Sequence, residues 1–131
     1  MSFTAQQLLR KAVLLKAVQF ENIEPFNECL SGQEIDALYE SYDRWDELAD
    51  PWNEIRYSGV VCDLPATTWS RHYEVDSKAI KIDDIWVQFD YHYGGGKHSE
   101  PEGFDYIKGA RIVDCEETQV TVTQYNFSEI K

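Results

Sequence analysis

The sequence predicts an α+β fold, with two N-terminal helices packed on an antiparallel sheet of about four to five strands. Three observations lead to this. Two helix-start signals in the first 35 residues are each followed by apolar residues at helical spacing. After Gly59 the apolar spacing changes to every second residue. Acidic pairs then separate the later apolar runs where hairpin turns would sit. At 131 residues the chain suits one domain, mainly helical over 1–57 and mainly antiparallel β over 58–131.

The first helix is expected to start at Thr4. Thr4 and Gln7 have the spacing of a capping box, and Phe3 and Leu8 that of a hydrophobic staple. The helix should run to about Val18. Leu8, Leu9, Ala12, Val13, Leu14, Leu15, Ala17 and Val18 point in nearly every direction around it. Such a helix needs apolar contacts on most sides, from the sheet and a second helix or from a second subunit. Ser31 and Glu34 form another capping box. Ile35, Leu38, Tyr39, Tyr42, Trp45 and Ala49 then repeat at helical spacing, which places Trp45 in the core. Asp50, before Pro51, is pushed out of the helical region, ending this helix or capping a short one through Tyr57.

Strands are expected at Val60–Asp63, around Trp69–Val75, at Ala79–Ile82 and at Ile85–Tyr93, the last two joined by an Asp83-Asp84 turn. Alternation puts Val87, Phe89 and Tyr91 on one face of this last strand and Trp86, Gln88, Asp90 and His92 on the other. A glycine-rich polar loop covers 94–103. Ala110–Cys115 and Thr118–Phe127 read as a closing hairpin across Glu116-Glu117, the second run being rich in Thr, Val and aromatics.

Charge is the most informative bulk property. There are 24 acids and 12 Lys plus Arg, a net of −12. Residues 1–20 carry +3, residues 21–54 carry −10 with Arg44 as their only base, and residues 55–131 carry −5. A field of this sign repels phosphates and anionic membranes, so direct binding to nucleic acid or membrane is not expected. It attracts basic proteins. Cys29, Cys62 and Cys115 have no pairing rhythm and read as buried free thiols of a cytoplasmic protein. The longest apolar stretch, Leu8 to Val18, is interrupted by Arg10, Lys11 and Lys16 and is too short to span a bilayer.

On a continuous second helix, Asp36, Glu40, Asp43, Glu47 and Asp50 would fall within roughly 80° of arc along roughly 21 Å. Like-charged neighbours at this spacing repel, at a cost of about 0.2–0.5 kcal/mol per pair. An ordinary solvated face mixes both signs, and this one barely does. The row could imitate a run of phosphates or complement a basic groove, and these five residues are the expected partner contacts. Gly95 and Lys97, in the glycine-rich loop, come next. That loop lacks the spacing and the following helix of a phosphate loop.

In size and charge the chain resembles, in type, phage-encoded anti-defence proteins and the immunity proteins of nuclease toxins, although no motif ties it to one family. The resemblance implies a non-enzymatic inhibitor of a basic protein that handles nucleic acid. Two alternatives remain open. Asp90, His92 and His98 could form a metal or ligand site beside the loop, or the first helix could join copies of the chain into an oligomer. No GxSxG, HExxH or Cys-His signature is present, and no cofactor is expected.

Overall fold

The computed structural model describes residues 2–71, 73–94 and 105–130. Among them are three helices, α1 (Ala5–Gln19), α2 (Gly32–Glu40) and α3 (Ala49–Ser58). They precede four strands, β1 (Val60–Val61), β2 (Glu74–Ile82), β3 (Ile85–Tyr93) and β4 (Arg111–Val113). The strands form one antiparallel meander in the order β1-β2-β3-β4.

Both N-terminal capping boxes form. The Thr4 hydroxyl accepts from the Gln7 amide at 3.1 Å while Gln7 Oε1 accepts from the Thr4 amide at 3.0 Å. Ser31 and Glu34 repeat the exchange at 3.2 and 3.0 Å. Each box satisfies amides that a helix start leaves without partners. α1 ends in a Schellman motif, with Asn22 N–H on Ala17 O and Glu21 N–H on Val18 O. This places Glu21 at φ 63°, a conformation that normally selects glycine.

α1 is the central post of the core. Leu8, Leu9, Val13 and Leu14 are fully buried, and they meet α2, α3 and the sheet. Much of its apolar surface is therefore covered within the chain, while Ala12, Leu15 and Val18 stay half-buried. Around it lie Ile35, Leu48, Trp52, Ile55, Val87 and Phe89. Tyr106 and Ile107, in a turn before β4, complete the cluster. The Tyr106 hydroxyl donates to Trp52 O at 2.8 Å. The Gln6 side chain gathers the carbonyls of Ile107, Lys108 and Ala110, which fixes that turn to α1.

The expected Asp83-Asp84 hairpin is present, with Ile82 opposite Ile85 and Ile80 opposite Val87. Both aspartates have positive φ, 51° and 64°, as the mirror-image turns that suit strand twist require. Lys11 reaches from α1 to Asp83 at 2.7 Å and so ties the turn to the post. At the passage from α3 to β1, a Cβ on Gly59 would lie 2.9 Å from the Phe89 ring. Glycine lets the backbone cross the sheet there.

Several expectations change. The helix expected to run from Ser31 to Asp50 breaks after Glu40, and α3 is a separate element. Side chains compete with the helical ladder at the break. The Ser41 hydroxyl donates to Leu38 O at 2.6 Å, Asp43 Oδ1 accepts from Trp45 N–H at 2.8 Å, and Glu47 Oε2 accepts from Asp43 N–H at 3.0 Å. The break buries Leu48 and expels Trp45, which is 69% exposed and not in the core. The first strand shortens to Val60–Val61, and β2 starts at Glu74, leaving Trp69 in a loop. β4 covers only Arg111–Val113, and Thr118–Phe127 takes no helix or strand, so the closing hairpin does not form. Cys29 and Cys115 are exposed and Cys62 half-buried, because all three lie outside the packed elements.

Two substitutions test this architecture. Leu14→Ala removes buried volume from the post and should destabilise by about 2–5 kcal/mol. Glu21→Gly relieves the left-handed residue after α1 and should stabilise by about 0.5–1 kcal/mol. Urea unfolding midpoints at unchanged cooperativity would show both.

Candidate partner-binding surface and a buried polar network

The five expected acidic contacts do not form one row. Asp36 and Glu40 lie on α2, Asp43 and Glu47 in the turn that follows it, and Asp50 in the first turn of α3. Asp36 is half-buried and engaged, receiving Arg10 Nη1 at 2.6 Å and Gln7 Nε2 at 3.1 Å. It holds α2 against α1. Asp50 sits at a helix N-terminus, not at a C-terminus, and there the peptide dipoles favour a negative charge.

The turn brings a different constellation together. Glu40, Asp43, Asp46 and Asp50, all within five residues of Trp45 along the chain, are exposed, as is Trp45 itself. Arg44, the only base between residues 21 and 54, turns inward. Its guanidinium lies 3.5 Å from the centre of the Trp52 ring and 4.4 Å from that of Trp45. Trp52 is buried and packs on Tyr106 with ring centres 4.6 Å apart, and Tyr106 meets Phe89 at 5.1 Å. An exposed indole is thus linked to the core through one cation.

The second face of β3 carries the other group of polar residues. Gln88, Asp90 and His92 are buried there. Asp90 accepts from five donors: the amides and hydroxyls of Thr67 and Thr68, at 2.6–3.1 Å, and Gln88 Nε2 at 3.1 Å. Gln88 in turn donates to Ser77 Oγ at 3.1 Å and accepts from Arg111 Nε at 2.9 Å. Burial pushes the Asp90 carboxyl up, but the bonds from Thr68, Thr67 and Gln88 outweigh it and hold the group below its usual range. Burial also lowers the His92 imidazole, against the opposing pull of Asp90 and with help from Arg56. Arg56 is itself buried, donates to His92 O at 2.5 Å, and lies 4.7 Å from the Tyr91 ring centre.

Alternation in β3 correctly put Asp90 and His92 on one face. Nothing in the spacing revealed that Thr67 and Thr68 would close over Asp90. The result is a carboxylate whose lone pairs are occupied, and it clamps the loop at Thr67 and Thr68 to the sheet. His98, Gly95 and Lys97 lie outside the described residues. Among the described residues no three His, Cys, Asp or Glu side chains are placed to hold a metal ion. No helix among them is long and apolar enough to cross a membrane.

The network sets an acid response. His92 and Asp90 both have folded values below their unfolded ones, so the unfolded chain binds more protons and stability falls with pH. The His92 contribution should be lost as pH falls from about 6.5, and that of Asp90 only below about 3.9. His92→Gln should therefore flatten stability against pH from about 6.5 downward, leaving the lower transition in place. Urea titrations at stepped pH would measure it. Asp90→Ala, which strands five donors, should cost about 3 kcal/mol at neutral pH.

No protein-family model matches this sequence, and neither a curated protein nor a solved structure shows significant similarity to it.

Proposed function

We propose that this chain is a non-enzymatic acidic binding protein that docks on a basic protein and inhibits it, in the manner of anti-defence or nuclease-immunity proteins. The partner is a protein that handles nucleic acid, whose own phosphate-binding surface would be complementary to a chain of net charge −12. The observation that carries this reading is the Trp45 turn. Aromatic residues anchored in advance and ringed by charge make strong interface centres, because little side-chain freedom is lost on docking. Trp45 meets that description through Arg44 and Trp52. The surrounding carboxylates would speed encounter with a basic groove. Contact therefore centres on Trp45 with Glu40, Asp43, Asp46 and Asp50 around it, and Asp36 serves the fold.

The test is affinity capture from host lysate on the immobilised chain, at low and high salt, with variants run in parallel. A basic protein should be retained at low salt and weakened by high salt. Trp45→Ala should weaken its binding by about 2 kcal/mol, roughly 30-fold. Reversal of Asp43, Asp46 and Asp50 to Lys should slow association at least about tenfold. Capture unaffected by these variants, or by salt, would overturn the reading.

A further inference from the structure

Residues 118–128, Thr-Gln-Val-Thr-Val-Thr-Gln-Tyr-Asn-Phe-Ser, contain no charged side chain in a chain that is 27% charged. Their β-branched and aromatic content is that of a strand, and they include no proline or glycine. Yet they carry no strand, and Val120 and Val122 are each 78% exposed, Tyr125 75% and Phe127 92%. Tyr125 and Phe127 stack with ring centres 6.4 Å apart, so both already lie on one side of the chain. In a strand, the even positions would present Val120 and Val122 to one face and the odd positions Tyr125 and Phe127 to the other. Its backbone groups would then form an unpaired edge, open to pairing with another strand.

We propose that this segment is a self-association strand, pairing antiparallel with the same segment of a second copy. Three observations choose this occupant. The sheet's own outer strands, β1 and β4, are two and three residues long and cannot match an eleven-residue strand. Lys81 holds Glu117 at 3.1 Å, and residues 113–116 help line a cavity of about 370 Å³ with Val60, Leu64, Ala79 and Trp86. The chain entering the segment is therefore drawn over the sheet face and away from a hairpin with β4. Finally, two copies at −12 each repel over most of their surface, and an uncharged run of this length is where they can approach. Two-fold antiparallel pairing sets residues of the same parity opposite one another. Val120 and Val122 of both copies then share one face, and the two aromatic residues share the other with Thr121 and Thr123.

The proposal is independent of the Trp45 turn, and salt separates the two. Added salt weakens docking to a basic partner but strengthens association between like-charged copies. The experiment is light scattering of the full chain across concentration and salt, with hydrogen exchange of amides 118–128. The expected result is a mass of twice 15.3 kDa that is favoured by salt, with protected amides in the segment. In Val122→Asp and Phe127→Asp, both at exposed sites that leave the core untouched, the mass should fall to 15.3 kDa and protection should be lost. A monomer at all concentrations would overturn it, whether or not the segment is protected. So would a dimer that survives both substitutions.

Discussion

The structure depends on the burial of one helix from several sides at once. α1 supplies Leu8, Leu9, Val13 and Leu14, all without solvent contact, and other elements take their positions from it. Asp36 fixes α2 to it through Arg10, Lys11 fixes the β2–β3 turn, and Gln6 fixes the turn before β4. These polar ties lie at the rim of the apolar core. Each sets the orientation of an element that hydrophobic contact alone would leave free to rotate.

Local signals in the sequence were readable because their physics is local. A capping box needs residues three apart, and both boxes formed. The Asp83-Asp84 turn and the alternation of β3 are short-range in the same way. The second helix misled because its apolar period continues past the true end. Ser41, Asp43 and Glu47 satisfy nearby backbone groups as well as the helix does, and burial of Leu48 tips the balance. With that break the acidic row disappeared as a row, and Trp45 moved from core to surface. The Asp90 clamp was only half legible. Its strand face followed from period two, but its Thr67 and Thr68 partners come from a loop with no periodicity to read.

Arg44 shows how one residue can link a surface to the core. It is the sole cation in a block of net −10. Its guanidinium lies against Trp52 and Trp45, and so ties an exposed ring to a buried one. The Asp90 network makes the opposite use of charge. A single carboxylate is buried, fully satisfied and used to hold two stretches of backbone together.

The bonds from Gln6 to the carbonyls of Ile107, Lys108 and Ala110 join parts of the chain separated by 101, 102 and 104 residues. They bear on how the protein is made. At ribosomal rates of about 5–20 residues per second, the apolar post emerges about 5–20 s before the turn that completes its enclosure. For that interval α1 is a sticky amphiphile without its mates, and the nascent chain is a natural client for chaperones that shield such segments during translation.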